Sequence, residues 1–290
     1  MNESKFPRMD KDALLHEFSG SFLKLMETAY ECTKYGYTGL NISTMTLICQ
    51  TNSTCTDIDA VVSKFDEHID FPAELKKKKR TDVPVVTKRG KIINSFFNQA
   101  TMTFKDITTK SIKIFTNGNL QMTGITSLLE GIRVAHRVCA LLTKCTEVDI
   151  YPVALRIAMI NSDFHVRKRV NLPGLKEVIR HKTGVDVGYD PDTYPGLKVY
   201  YDVGCQCTKG ATDGDCKCKK VSIFVFSTGA VVITGSKSIP ALHKAFAYVT
   251  DVIAHSGCIW GETIEKKRKM VKEHGYAKNI VDCCTSTFTE

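Results

Sequence analysis

Apolar residues recur every three or four positions in several stretches, a spacing typical of helices with one buried face. These stretches are residues 12–32, 57–65, 128–142, 175–180 and 239–253. Between them, apolar and polar residues alternate or β-branched residues dominate, which indicates strands. The predicted strands are residues 40–49, 96–104, 111–115, 119–123, 153–160 and 223–226. The pattern therefore predicts an α+β fold.

The chain contains an internal repeat with an offset of 111 residues. In the first copy, Phe115-Thr-Asn-Gly118 runs on to Thr123-Gly124, and in the second, Phe226-Ser-Thr-Gly229 runs on to Thr234-Gly235. Each motif follows a predicted strand and precedes a predicted helix. Two copies are too few for a solenoid. The repeat instead predicts a pseudo-twofold pair of α+β units that share an antiparallel sheet, with helices on one face and the other face free for binding.

The second copy carries the clearest resemblance to a known family, the TATA-box-binding proteins (TBPs). Its segment Tyr189-Asp-Pro-Asp-Thr-Tyr194-Pro-Gly-Leu197 resembles the family's Y-E-P-E-x-F-P-G-L. The segment from Ile223 to Lys237 resembles the family's I-F-x-S-G-K-x-x-x-T-G-A-K. The first copy matches more weakly, at Phe97 and from Phe115 to Gly124. The resemblance covers residues 40–253, and its low overall level suggests a divergent version, such as a large DNA virus carries.

This resemblance implies a pseudo-twofold saddle, a curved antiparallel sheet with helices on its convex face. The concave face would sit in the DNA minor groove, and the family is a standard example of apolar side chains that wedge between base steps and kink the duplex. The implied wedges are Phe97 and Phe115 in the first copy and Tyr194 and Phe226 in the second, with Phe96 as the alternative to Phe97. Tyr194 replaces the family's Phe, and its hydroxyl would need a partner when buried.

Other groove contacts of the family fall on Gln121, Thr123, Val232, Thr234 and Lys237. Gln121 departs from the family's Val. The family also places one Asn in the first strand of each half, where it reads base edges. Those two columns fall on Leu40 and Met159 here, and only a small shift of the alignment would bring in the neighbouring Asn41 or Asn161. Recognition of the central base pairs of the DNA site is therefore expected to differ from that of an ordinary TATA-binding protein.

Composition and charge narrow the class of protein but not its partner. The chain has 290 residues, 43% of them hydrophobic and 24% charged, which excludes a disordered or fibrous chain. The formal net charge of +9 permits a polyanionic partner without requiring one. The basic run Lys76–Arg80 is a solvated loop, a phosphate-contacting arm or a nuclear import signal, and Arg167, Lys168 and Arg169 are further candidates for phosphate contacts.

The 12 cysteines are the unusual feature of the composition. Residues 1–11 are polar and no signal-like apolar stretch follows them, so a secreted, disulfide-bonded protein is not expected. Four cysteines lie in an insert that the first copy lacks: Cys205, Cys207, Cys216 and Cys218. Four thiols in two close pairs suggest a structural Zn²⁺ site, with a disulfide or free thiols as alternatives. The insert is expected in a hairpin loop beside the aromatic wedges, where bound metal would stiffen the hairpin that positions Phe226.

The expected organisation is an N-terminal helical extension (1–38), a first TBP-like repeat (39–150, with a basic insert at 66–92), a second repeat (151–256, with a Cys-rich insert at 203–219) and a basic tail (257–290). No nucleotide-binding loop, H-E-x-x-H or G-x-S-x-G motif is present, so no enzyme is expected.

The function implied by the resemblance is transcription initiation. The chain would bind and bend A·T-rich promoter DNA and recruit a TFIIB-like factor and RNA polymerase. No small-molecule substrate and no membrane are involved, and the expected location is the nucleus or a viral factory in the cytoplasm. The alternative is a saddle that has lost DNA binding and serves as a protein-interaction adaptor in a transcription complex. The wedge residues discriminate between the two, because an adaptor has no reason to keep them.

Overall fold

The computed structural model describes residues 7–77, 85–86, 92–93, 99–105, 108–183, 185–204 and 220–262. Contacts between Cα atoms divide the chain into two compact units. Unit 1 comprises Met1–Ala13 and Met45–Ala158, and unit 2 comprises Leu14–Thr44 and Met159–Glu290. Each unit contains one copy of the repeated motif.

The described residues form helices at the predicted positions and a larger number of strands than the sequence pattern predicts. The helices are α1 (Lys11–Thr33), α2 (Ile58–His68), α3 (Leu128–Thr146), α4 (Leu172–Thr183) and α5 (Ile239–His255). The strands are β1 (Asn41–Thr51), β2 (Ala73–Lys77), β3 (Val85–Val86), β4 (Ile92–Ile93), β5 (Gln99–Lys105), β6 (Thr109–Phe115), β7 (Leu120–Ile125), β8 (Pro152–His165), β9 (Lys168–Val170), β10 (Asp186–Asp190), β11 (Tyr194–Tyr201), β12 (Val221–Phe226), β13 (Ala230–Ser236) and β14 (Ile259–Glu262). Among the described residues, no helix is long and apolar enough to cross a membrane.

In unit 1 the sheet runs in the order β2-β5-β6-β7-β1, with every neighbouring pair antiparallel. Its core is formed by strand residues that alternate with half-exposed ones, such as Met102, Ile112, Ile114 and Met122, which are fully buried. Helix α3 lies close to this core at Gly131. A Cβ atom on Gly131 would lie only 2.2 Å from Cδ1 of Leu47. One face of the sheet is thereby covered.

Unit 2 repeats this arrangement with the strand order β10-β11-β12-β13-β8, again antiparallel throughout. From Leu14 onward α1 belongs to this unit. It buries Leu25, Ala29 and Cys32, and Thr28 Oγ1 lies 2.7 Å from Nε2 of His243 on α5. The predicted α+β class and the predicted packing of the N-terminal helix are therefore confirmed.

Equivalent serines start the long helix of each copy. Ser127 accepts a hydrogen bond from the backbone N–H of Glu130, and Ser238 accepts one from that of Ala241. At the start of α2, Asp57 fills this position and accepts from the backbone N–H groups of Asp59 and Ala60. The repeat thus preserves local helix-start chemistry as well as strand order.

Candidate nucleic-acid interface

Each unit has an open face formed by the strand residues that alternate with its core. In unit 1 these residues stand directly opposite one another on neighbouring strands, which puts their side chains on one face. Lys113 lies between Thr101 and Gln121, and Ser111 lies between Thr103 and Thr123. All of them are half-buried rather than buried. The open face of unit 1 is therefore polar, with a lysine at its middle.

Phe115 is the last residue of β6 and also lies on this face, opposite Gln99 on β5. Its ring is half-buried, whereas the alternating residues Ile112 and Ile114 are fully buried. Three residues predicted to contact DNA, Phe115, Gln121 and Thr123, thus share one face. Phe97 and its alternative Phe96 lie outside the described residues, so the second wedge of this copy stays a prediction.

Lys76 extends the same face at its edge, because it pairs with Thr101 on β5. Its side chain is well exposed and forms an ion pair with Glu74, with 3.1 Å between Nζ and Oε2. The remainder of the run, Lys78–Arg80, lies outside the described residues. At least the first lysine of the basic run therefore shares a face with Phe115.

The open face of unit 2 carries an aromatic cluster. The ring centroid of Tyr194 lies 5.7 Å from that of Phe224 and 6.0 Å from that of Phe226. Gly196 pairs with Phe226, and a Cβ atom on Gly196 would come within 2.7 Å of Tyr194 Cε1 and 3.0 Å of Phe226 Cε1. The glycine of the Tyr-Pro-Gly motif therefore leaves the space that the two rings occupy. Lys198 Nζ lies 4.5 Å from the centroid of the Tyr194 ring.

Next to the aromatic cluster is a polar group on β13, β8 and the first residues of β1. Val232 stands opposite Asp163, and Thr234 stands opposite Asn161. The Thr234 hydroxyl donates to Asn161 Oδ1, while Asn161 Nδ2 donates to Thr44 Oγ1 at 3.2 Å. The predicted contacts Val232 and Thr234 therefore lie on the same face as Phe226.

The structure corrects the alignment of one of the family's Asn columns. Leu40 is only 3% exposed, so it belongs to the core and cannot reach a ligand on the open face. The neighbouring Asn41 is half-exposed, and its Nδ2 donates to Asp163 Oδ1 at 3.0 Å. In the second column Met159 is half-buried, but Asn161 holds the position opposite Thr234. Both asparagines that a small alignment shift would bring in therefore take part in the polar group.

A basic tract lies beside the turn that follows Phe226. Arg167, Lys168 and Arg169 are all exposed, and Arg169 stacks against the exposed Trp260 with 5.6 Å to its ring. The tract is held to the turn by two hydrogen bonds, from Val166 N to Gly229 O at 2.9 Å and from Val170 N to Ser227 O at 3.0 Å. Lys237, by contrast, is exposed in the connection between β13 and α5, outside the rows of the open face.

The expectation that the Cys-rich insert lies beside the aromatic cluster stays a prediction, and the structure describes only the strand ends that the insert joins. The insert connects the end of β11 to the start of β12, where Tyr201 pairs with Val221. Tyr194 and Phe226 lie at the opposite end of the same strand pair, seven residues from Tyr201 and five residues from Val221, respectively. At about 3.3 Å per residue, roughly 17 to 23 Å separates these two residues from the strand ends that the insert joins. Cys205, Cys207, Cys216 and Cys218 themselves lie outside the described residues, so zinc binding stays a prediction.

Sequence reasoning missed three residues of the open faces: Lys113, Phe224 and Asp163. Lys113 and Phe224 occupy the same position of the two copies, at the offset of 111 residues. Each lies two residues before a predicted wedge, so strand alternation places it on the same face and was the available signal. Asp163 could be found only from the pairing of β8 with β13.

One family model and two known proteins are similar to this chain. A model of the family "Transcription factor TFIID (or TATA-binding protein, TBP)" matches residues 155–256. The chain is 28% identical over 245 residues to a "TATA-box-binding protein-like" protein of Acanthamoeba polyphaga mimivirus, an alignment that covers 74% of this chain and 65% of the viral protein. Among solved structures, the Methanococcus jannaschii TBP is similar over 74% of this chain and 98% of its own, at 18% identity and a TM-score of 0.48.

The family model matches only the second copy of the repeat. The viral relative aligns with too much of the chain to be confined to residues 155–256, so it includes part of the first copy as well. The chain spans slightly less than two thirds of that relative's length. Residues 155–256 thus match the TBP family model, and the chain as a whole is similar to a TBP-like viral protein.

Proposed function

We propose that this chain is a TBP-like transcription factor that binds duplex DNA in the minor groove through the open faces of its two units and bends it. The observation that carries the proposal is the pair Phe115 and Phe226. They occupy equivalent positions of the repeat, and each keeps a large apolar ring half-exposed at the end of an open-face row. The stability of the fold gains nothing from leaving such a ring exposed. Insertion between two base steps would bury it.

The wedge mechanism follows from the cost and gain of deforming DNA. Unstacking one base step costs a few kcal/mol, and the bent duplex then offers more surface for contact. In unit 2, the neighbouring rings of Tyr194 and Phe226 would enter one base step together. Lys198, whose Nζ lies over the Tyr194 ring, would then approach the adjacent phosphates. Gln121, Thr123, Val232 and Thr234 would then face the groove floor.

Phosphate contacts would come from lysines and arginines around these faces. Lys76 and Lys113 lie on the open face of unit 1. The tract Arg167–Arg169 lies beside the turn after Phe226, and Lys237 lies after β13. Such contacts release counterions from the duplex and supply sequence-independent affinity. The net charge of +9 supports this role.

The transcription partners are proposed at the level of the family. A bent promoter complex would recruit a TFIIB-like factor and RNA polymerase, in the nucleus or in a viral factory. We also propose that Cys205, Cys207, Cys216 and Cys218 hold a structural Zn²⁺, since four thiolates complete a tetrahedral shell. Because the insert joins the ends of β11 and β12 away from the aromatic cluster, this metal would stabilise a loop and not a wedge.

The test is a combined gel-shift and bending assay on A·T-rich and random duplexes. The wild-type protein is expected to bind and bend DNA, and the double variant Phe115→Ala with Phe226→Ala to lose both. By analogy with base–aromatic stacking at about 1–3 kcal/mol per ring, the loss in affinity is about 30-fold or more. Tyr30→Ala is the matched control, because Tyr30 is an exposed aromatic residue on α1. A wild-type protein that binds no duplex at low salt would favour the adaptor instead.

The basic tract gives a separate prediction about salt dependence. The double variant Lys168→Gln with Arg169→Gln should lower the slope of log K against log salt by up to about 1.8, since each phosphate contact contributes about 0.9. Affinity should fall equally for all duplex sequences. The control is Arg180→Gln with Lys182→Gln, which removes the same charge from the last turn of α4. Equal slopes for the two double variants would show that the tract does not touch phosphate.

A further inference from the structure

The open face of unit 2 contains a carboxylate in an unexpected place. Asp163 lies on β8 directly opposite Val232, and the row continues from Val232 to Phe224. The carboxylate is half-buried and accepts one hydrogen bond, from Nδ2 of Asn41 at 3.0 Å. Within the described residues, no cation forms an ion pair with it. A negative charge on a surface that faces DNA is unfavourable unless the duplex supplies a donor to it.

Unit 1 shows that the fold does not require this carboxylate. Gln121 is the equivalent of Val232 in the repeat, and the residue opposite Gln121 is Ile48 on β1. The two copies therefore place an isoleucine and an aspartate at corresponding positions of their open faces. The difference makes the two faces chemically distinct at this point.

Each of the two amides around Asp163 directs one of its N–H groups to a partner within the cluster. Asn41 directs its Nδ2 to the Asp163 carboxylate. Asn161 directs its Nδ2 to Thr44 Oγ1 and accepts from the Thr234 hydroxyl. An ionised carboxylate has no hydrogen to donate, so Asp163 itself presents only acceptor atoms to a ligand on this face.

The minor groove discriminates between base pairs through one donor. A·T and T·A pairs show only the acceptors adenine N3 and thymine O2, whereas a G·C pair adds the guanine 2-amino group. A carboxylate that approaches an A·T pair meets acceptors and is repelled. The same carboxylate next to a G·C pair can accept a hydrogen bond from the 2-amino group.

We propose that Asp163 is a specificity-determining residue that accepts a hydrogen bond from a guanine 2-amino group, so that unit 2 selects a G·C pair at one position of its site. The proposal rests on minor-groove binding by the open faces. With this contact, the protein would bind a site that contains a G·C pair in preference to an uninterrupted A·T tract. Asn41 is the positioning residue, because its amide orients the carboxylate.

The experiment uses the full chain and a set of bound duplexes, in which each base pair in turn is A·T, G·C, inosine·C or diaminopurine·T. Inosine lacks the 2-amino group of guanine, and diaminopurine adds that group to adenine. At one position the wild-type protein should prefer G·C and diaminopurine·T over inosine·C and A·T by about 10-fold, the usual scale of one base-edge contact. Asp163→Asn should reduce this preference, and Asp163→Ile, which installs the residue of unit 1, should abolish it.

Asp251→Asn is the charge control, since Asp251 is an exposed carboxylate on α5 whose loss should leave the preference unchanged. A wild-type protein that binds and bends DNA with no position sensitive to the 2-amino group would overturn the role of Asp163 while leaving minor-groove binding intact. So would a 2-amino preference that persists in both Asp163 variants. Absence of binding to any duplex would overturn both proposals.

Discussion

Replacing Glu130 by Gln is expected to lower the free energy of unfolding by about 3–5 kcal/mol, the usual cost of breaking a buried ion pair. Lys110 is completely buried, and its Nζ lies 2.7 Å from Glu130 Oε1. The other carboxylate oxygen accepts from the backbone N–H of Thr126 at 2.6 Å and from its hydroxyl at 2.9 Å. Loss of the carboxylate charge leaves the ammonium group of Lys110 in the core without its counter-ion. Urea denaturation followed by circular dichroism measures the change.

The repeat supplies the matched control for this prediction. At the offset of 111 residues, Lys110 corresponds to Val221, which is buried, and Glu130 corresponds to Ala241. The double variant Lys110→Val with Glu130→Ala installs the apolar solution of the second copy and should recover most of the lost stability. If Glu130→Gln alone unfolds at the wild-type denaturant concentration, the ion pair is not a structural element of unit 1.

Gly229→Ala is expected to destabilise the protein by about 2–5 kcal/mol, the sum of a left-handed backbone penalty and overpacking. Gly229 has a φ of +92°, and a Cβ atom there would lie 2.2 Å from the backbone oxygen of Lys168. Relief of that clash must move either the turn after Phe226 or the basic tract, which two hydrogen bonds join. The same variant should therefore weaken DNA binding beyond its effect on stability.

Gly188→Ala is the control for Gly229→Ala. Gly188 lies on β10 in the same unit and is not in the left-handed region, and a Cβ atom added to it would meet no heavy atom within 4 Å. Its replacement should leave stability within about 1 kcal/mol of the wild type. Thermal unfolding of the two variants distinguishes strain at Gly229 from a general effect of replacing glycine by alanine in this unit. Equal melting temperatures would mean that the turn tolerates a side chain and that the close approach is not required.

Much of the architecture was predictable because it is encoded locally. The spacing of apolar residues located the five helices of the described ranges, and the two Phe-x-x-Gly motifs located the β6–β7 and β12–β13 hairpins. Short edge elements such as β10 and β14 were not predicted, since four or five residues carry too little periodicity. Their strands form only because a neighbouring strand offers backbone partners, as β9 does for β14.

The candidate site was predictable where it follows the repeat. Phe115, Phe226, Thr123 and Thr234 lie where the resemblance and the 111-residue offset placed them, on the open faces. The alignment misplaced Leu40, which is buried. A shift of one residue in a strand exchanges core and open face, so counting along a weak alignment cannot assign Leu40 and Asn41.

The sequence by itself determined the duplicated α+β organisation, the aromatic residues of the open faces and the resemblance to TBPs, because all three depend on local pattern and on identity at fixed spacing. The tertiary structure alone decided which side chains meet across strands that are distant along the chain. It brought Asn41 to Asp163, Asn161 to Thr234, and Lys110 to Glu130. Those contacts depend on strand register and burial, which the local pattern of residues along the chain does not specify.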